Sequence, residues 1–288
     1  MKVQSLSIVV PGGCPNRCKF CVARMHKSPY EDHIERNLRF RRLYQEDYME
    51  RLAFARDNGC NTAVLTGDGE PIYNVGFLND FAQWNARIPS PFRWIEVQTS
   101  GVGLDDEKLR WLRDTVRVST ISLSLSSVFS DNANAEYNGT PEKLKVNIEK
   151  LCSEIKRYDF NLRISLNMTD DLHDHDTAEL FTRLKGLGAN MVTFRKLYAV
   201  GDTEQAEWVR AHGASDLMIS TIEMHIKHMG KAIGALPTGG IRYSVDGMSV
   251  VIDNTCMTGD DSDIIRYLIL RQNCKLYTRW DNPGSILF

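Results

Sequence analysis

Three cysteines fall within eight residues in the run Pro11-Gly12-Gly13-Cys14-Pro15-Asn16-Arg17-Cys18-Lys19-Phe20-Cys21. Thiolates spaced Cys-x3-Cys-x2-Cys can hold three irons of a four-iron cluster and leave the fourth open, whereas a closed electron-transfer cluster normally takes four thiolates. An open iron is a place where a second molecule can bind and react. Structural zinc is the plainer alternative, but it wants four protein ligands, commonly from two paired clusters, and no Cys-x2-Cys or His-x3-His partner occurs elsewhere. A disulfide framework fits no better. Seven cysteines is an odd number, and the apolar start MKVQSLSIVV lacks the basic region and cleavage site of a secretory signal and reads as a first strand.

A second segment, Thr66-Gly67-Asp68-Gly69-Glu70-Pro71, follows the second apolar run. Its glycines allow close backbone approach, and its glutamate offers acceptors for a cationic amine. Alone, such residues also make ordinary turns.

These residues need elements to hold them. Apolar, β-rich runs occur at Val3–Val10, Thr62–Leu65, Trp94–Thr99, Thr120–Leu125, Leu162–Leu166 and Met191–Phe194. Helical spacing fills the intervals: Leu43–Asp57, Val75–Asn85, Asp106–Asp114, Pro141–Tyr158, Thr177–Leu187 and Thr203–Met229. Thr140-Pro141 and Asp176 read as helix starts, and Gly59, Gly188 and Gly230 as left-handed helix ends. Six βα units in succession argue for parallel strands with right-handed crossovers, and chemistry in such sheets gathers at the carboxyl ends of the strands. Both motifs fall at that end.

The cysteine spacing, with Phe20 before its last cysteine, resembles the signature of the radical S-adenosylmethionine (radical SAM) superfamily, and Gly67–Pro71 resembles that family's Gly-Gly-Glu-Pro segment with Asp68 in place of one glycine. The resemblance covers about the first 200 residues. It implies an α/β fold, a partial (β/α)6 TIM-like barrel, with Cys14, Cys18 and Cys21 on a [4Fe-4S] cluster and S-adenosyl-L-methionine (SAM) on the fourth iron. It further implies SAM contacts from Phe20, Gly67, Asp68, Gly69 and Glu70, from Gln98 and Thr99 at the end of strand three, from Ser124, with Ser126 second, at the end of strand four, and from Asn167 on strand five. Arg163 and Ser165 share a face with Asn167 by alternation and take its role if the register moves by two. The implied reaction is reductive cleavage of SAM to a 5′-deoxyadenosyl radical that abstracts hydrogen from a substrate, with a ferredoxin or flavodoxin as reductant in a cytoplasmic, reducing setting suited to an oxygen-sensitive cluster.

Composition bounds the rest. The 288 residues suffice for one large α/β domain, no apolar run approaches ~18 residues, and a net charge of −2 exerts no pull toward nucleic acid or an anionic membrane. The basic excess between Arg17 and Arg42 reads as a solvated run or a cradle for a phosphate-bearing substrate or a reductase. We read residues 1–235 as the barrel domain and 236–288 as a small C-terminal β extension packing on it. The extension carries a hairpin at Ile241–Ile252 around Asp246-Gly247 and a strand pair, Ile264–Leu270 and Cys274–Tyr277. Cys60, Cys152, Cys256 and Cys274 are scattered, so no closely spaced set suggests an auxiliary cluster, and a small-molecule or nucleotide substrate is expected. Arg195, Lys196, Arg242, Tyr243, Arg266 and Arg271 are candidate substrate contacts. Three other readings stand beside this one: an activase or modifier of a partner protein or peptide, an RNA-methylating relative using Cys256 or Cys274 as methyl acceptor, and an iron–sulfur protein that binds SAM without radical chemistry.

Overall fold

The computed structural model describes residues 3–25, 44–236, 240–253, 265–280 and 282–287. The chain runs β1 (Val3–Val9), α1 (Val22–Met25), α2 (Gln45–Asp57), β2 (Thr62–Thr66), α3 (Val75–Arg87), β3 (Trp94–Thr99), α4 (Asp106–Trp111), β4 (Thr120–Leu125), α5 (Asp131–Tyr137) and α6 (Ile148–Arg157). It continues through β5 (Asn161–Met168), α7 (Thr177–Gly186), β6 (Met191–Lys196), α8 (Glu204–His212), α9 (Asp216–Met229), β7 (Lys231–Ala235), β8 (Ile241–Val245), β9 (Met248–Asp253), β10 (Ile265–Leu270) and β11 (Leu276–Tyr277). Among the described residues, no helix is long and apolar enough to cross a membrane.

Among the described residues, all named strands join one sheet in the order β11-β10-β1-β2-β3-β4-β5-β6-β9-β8-β7. From β10 to β9 every pairing is parallel, and the antiparallel pairs lie only at the two ends. The extended segments of the sequence reading thus form the middle of the sheet. The last strands continue it on both sides: β9 beside β6, and β10 beside β1. The hairpin at Asp246-Gly247 has positive φ at both turn residues (49° and 84°), as a tight two-residue connection requires.

Strand alternation gives the sheet two different faces. Leu6, Ala63, Leu65, Ile121, Leu123, Leu125, Leu162, Ile164, Leu166 and Phe194 have no exposed surface and form the hydrophobic core with the helices. The opposite, lumen face is polar: in register lie Gln98, Ser122 and Arg163, then Ser124, Ser165 and Thr193, then Asn167 and Arg195. Filled parallel barrels favour branched apolar residues inside, so this lumen is built to hold something other than packing.

Helix starts follow side-chain caps. Asn74, Asp105, Ser130, Asn147, Asp176, Thr203 and Ser215 each accept a backbone N–H from the first turn of the following helix. Three expectations are corrected here. Pro141 leads only a 3-10 turn, Glu142–Leu144, and the helix waits for the Asn147 cap. The long helix expected over Thr203–Met229 is two, because Gly213 bridges to Thr169 and the Ala214 N–H donates to the Met168 carbonyl, drawing the chain back to the end of β5. Gly59 and Gly188 have positive φ (95° and 78°), but Gly230 is extended at −100° because β7 begins at the next residue.

Candidate active site

The cysteine loop leaves β1 at the carboxyl end of the sheet and is fastened on both sides by backbone bonds. On the β2 side, the Val10 N–H donates to the Thr66 carbonyl, the Glu70 N–H donates to the Gly13 carbonyl at 3.2 Å, and Asn74 Nδ2 donates to the Pro11 carbonyl. On the β4 side, the N–H groups of Arg17 and Lys19 donate to the carbonyls of Gly139 and Tyr137, each at 3.1 Å. The first turn of α1 then starts from Cys21, whose carbonyl accepts the Arg24 and Met25 N–H groups.

Glycine is what permits these approaches. A Cβ at Gly69 would lie 2.4 Å from the Gly12 carbonyl oxygen, one at Gly67 2.7 Å from the Val10 oxygen, and one at Gly139 2.3 Å from the Arg17 oxygen. Ordinary contacts cannot come so close, so both glycines of the second motif are required by the seating of the first. The two motifs, separate in the sequence, are one structural unit.

Cys14 is exposed, and Cys18 and Cys21 are half-buried. Burial, reinforced by the neighbouring Cys21 and Cys14, pushes the Cys18 thiol up to about 12, and burial also raises Cys14. Thiols that oppose one another's ionisation need cationic charge among them before all can act as thiolates, and iron supplies it. No three Cys, His, Asp or Glu side chains among the described residues converge on a single metal position. Ligands that each meet a different iron do not have to.

Glu70 lies beside this loop with only 4% of its surface exposed. Its Oε2 accepts from the Ser100 N–H (2.8 Å) and hydroxyl (2.6 Å), whereas its Oε1 is buried without a hydrogen-bond partner. Burial raises the carboxyl, with the Ser100 hydroxyl opposing that shift. An orphaned carboxylate oxygen is costly, and a ligand ammonium would satisfy it. Together the thiol set, the glycine-lined approach and this oxygen fit an iron cluster with a cationic amine beside it.

The other expected contacts divide. Gln98 and Thr99 sit where β3 ends: Gln98 Oε1 accepts from Thr66 Oγ1 at 3.0 Å, and buried Thr99 accepts the Gly101 N–H. Ser124 is half-buried on the lumen face, Asp68 is exposed, and Phe20 is half-buried with its ring 5.9 Å from that of Trp208. Ser126 and Asn167 take part in a buried network. Asn167 Nδ2 donates to Ser126 Oγ, which donates to Asn138 Oδ1, while the Ser126 N–H donates to Asn134 Oδ1 and Thr169 Oγ1 to the Ser126 carbonyl. That network fixes the segment whose Gly139 carbonyl holds the cysteine loop.

Arg163 lies at the opposite end of the lumen, 3.0 Å from Glu96, in the wall of a cavity of about 290 Å³ that Trp94, Thr120, Asn161 and Met191 also line. Arg195 donates to Ser165 Oγ from the lumen face, and Lys196 pairs with Asp216. Arg271 is buried between the rings of Tyr277 and Trp280, and Arg242 is exposed on β8 and Tyr243 half-buried. The basic side chains Arg17, Lys19 and Arg24 are exposed, whereas Lys27, Arg36, Arg39, Arg41, Arg42 and Cys256 lie outside the described residues, as does the Arg266 side chain. Gly139, Tyr137 and Trp208 are not singled out by the sequence, and Ser100 is read there only as part of the segment Gln98-Thr99-Ser100-Gly101. Only Ser100, next to Gln98-Thr99, carried a local signal.

The family model described as the Radical SAM superfamily matches residues 8–194. No curated protein matches the chain. Among solved structures, Streptococcus suis SuiB bound to S-adenosylmethionine superposes with a TM-score of 0.60 at 13% identity, covering 97% of this chain and 60% of that one. Native anSMEcpe with bound AdoMet gives 0.61 at 13% identity, covering 99% and 77%. Coproporphyrinogen III oxidase (HemN) from Escherichia coli gives 0.54 at 15% identity, covering 80% and 54%. At these identities the likeness is one of fold, and this chain spans 60% of the length of SuiB.

Proposed function

The chain belongs to the radical SAM superfamily, and on that premise we propose that Cys14, Cys18 and Cys21 hold its cluster, that Glu70 receives the SAM ammonium, and that the substrate is a small molecule or nucleotide. It is an enzyme whose cofactors are a [4Fe-4S] cluster and SAM. Bound together, these supply a carbon radical able to take hydrogen from an unactivated C–H bond. What the chain's own residues contribute is placement and exclusion of water.

The observation that carries the reading is the orphaned Glu70 Oε1 beside the cysteine loop. Ser100 holds the other carboxylate oxygen and so aims the free one, while Gly67 and Gly69 let the backbone close on the loop. Gln98, Thr99 and Ser124 offer polar groups where the strands end, and Asn167 and Ser126 serve by bracing that wall. Phe20 shields the cysteine turn on the α8 side.

The chemistry needs an electron donor and a substrate; a ferredoxin or flavodoxin in a reducing compartment fits the first role. For the second, the polar lumen with Arg195 suits a small oxygen-rich molecule. Cys60, Cys152 and Cys274 are buried apart from the cluster loop, with their thiols pushed up to about 12 by burial. Among the described residues they join no group of three or more Cys, His, Asp or Glu that could hold a metal ion.

Anaerobic reconstitution followed by dithionite reduction with SAM, assayed for 5′-deoxyadenosine and methionine, tests the reading. Formation by the wild type and its loss in Cys18→Ala support it. A fully loaded, reducible cluster that yields no 5′-deoxyadenosine with or without candidate substrates would sink it.

A further inference from the structure

Six residues at the cysteine turn form a closed path, and among them Tyr137, Asp170, His212 and Trp208 are not called for by the cofactors. The Tyr137 carbonyl, at the end of α5, accepts the N–H of Lys19, which lies between Cys18 and Cys21. The Tyr137 hydroxyl donates to Asp170 Oδ1 at 2.7 Å, and Asp170 Oδ2 lies 2.8 Å from His212 Nδ1. The His212 ring stacks on Trp208 with centroids 4.8 Å apart, and Trp208 lies 5.6 Å from the Tyr137 ring and 5.9 Å from Phe20. Phe20 follows Lys19, which closes the path.

We propose that Asp170 is a positioning residue for the cluster loop, acting through Tyr137 on the Lys19 amide and through His212 and Trp208 on Phe20. The inference rests on the cysteines holding the cluster. Anchoring of α8 does not explain the arrangement. The Gly213–Thr169 bridge and the Ala214-to-Met168 bond already hold that helix to the end of β5. The additional carboxylate bonds instead fix the angle of two side chains, and both lead to the residues between Cys18 and Cys21. Burial acts to raise the Asp170 carboxyl, but the bonds from His212 and Tyr137 outweigh it and hold the group below its ordinary value. The acceptor is therefore charged, and its two bonds are of the stronger kind. A cluster's potential and stability depend on the hydrogen bonding and solvent access around its ligands, and this path governs both.

The test compares reconstituted wild type with Asp170→Asn, Tyr137→Phe, Trp208→Ala and Trp208→Phe, with Glu207→Gln as an exposed control on α8. The readouts are iron and sulfide content, the EPR spectrum of the reduced cluster, its midpoint potential, and the rate of iron loss to a chelator. Asp170→Asn, Tyr137→Phe and Trp208→Ala are expected to load a cluster with altered EPR and shifted potential. Asp170→Asn and Tyr137→Phe should lose iron about tenfold faster than wild type, the scale of one charge-assisted hydrogen bond, and Trp208→Ala, which removes the ring contacts instead, should also lose it faster. Trp208→Phe should retain the wild-type spectrum. Loaded variants whose spectrum, potential and iron loss match wild type, with only thermal stability reduced, would overturn the positioning role and leave the cluster reading intact. A wild type that binds no iron would overturn the cluster reading and this proposal with it.

Discussion

Gly69 abuts Gly12 so closely that a methyl group on its α-carbon would lie 2.4 Å from the Gly12 carbonyl oxygen. The obstacle is backbone on both sides, so no side chain can swing away to relieve it. Gly69→Ala should therefore push the cysteine loop off its seat at a cost of about 1–3 kcal/mol, and lower iron incorporation. Gly139→Ala, 2.3 Å from the Arg17 oxygen at a φ of +53°, should do the same from the other side. Iron content after reconstitution, together with thermal melts, checks both; normal loading in either variant would refute the seating argument.

Glu70→Gln should separate stability from binding. The carboxyl is raised by burial, so the folded state holds its proton more tightly than the unfolded chain. Stability then falls as pH rises from the ordinary glutamate value of about 4.3 through the raised folded one. The neutral glutamine escapes that loss, and the cofactor-free variant should melt no lower than wild type at pH 7. The same change removes the charged acceptor, and SAM should bind the reconstituted variant roughly 10- to 100-fold more weakly. Paired melts and anaerobic titrations decide the matter; unchanged affinity would remove Glu70 from the site.

Glu96 and Arg163 make a pair at the far end of the lumen in which the Glu96 side chain is only 5% exposed. Arg163→Met leaves that carboxylate unpaired and should cost about 1–3 kcal/mol, whereas Glu96→Gln with Arg163→Met should recover most of it. Urea unfolding of the double-mutant cycle measures the coupling. Additive single effects would show that the pair contributes nothing as a pair.

The cysteines should also divide chemically. In cofactor-free protein, alkylation at pH 8 followed by peptide mass spectrometry should modify exposed Cys14 first. Cys60, Cys152 and Cys274, whose thiols burial pushes up to about 12, should react only after unfolding. Rapid native labelling of Cys274 would revive its candidacy as a methyl acceptor.

The parts legible in the sequence were those carried by local pattern. Strand alternation, the Asp246-Gly247 turn and the Asp176 cap each report on a few adjacent residues, and each is found where it was read. The break between α8 and α9 was missed because its cause is remote: Gly213 is claimed by Thr169, just past the end of β5. Pro141 misled because an N-terminal proline fits a 3-10 turn as well as a helix. Alternation puts Arg163, Ser165 and Asn167 on one face, but it cannot say that Asn167 would find Ser126 beyond the end of β4. The path from Lys19 through Tyr137, Asp170, His212 and Trp208 leaves no local trace, since its members meet only after the β5 and β6 connections fold over the cysteine turn.

The pairing of β1 on both sides has a consequence for how the protein is made. Its β2 edge is covered early in synthesis, but the other edge waits for β10, which leaves the ribosome far later. Until then the strand leading into Cys14 has an open flank. An iron donor that acts on the nascent chain would meet a half-built cradle, so delivery should follow release, and damage to the β10 strand should surface as a failure to acquire iron.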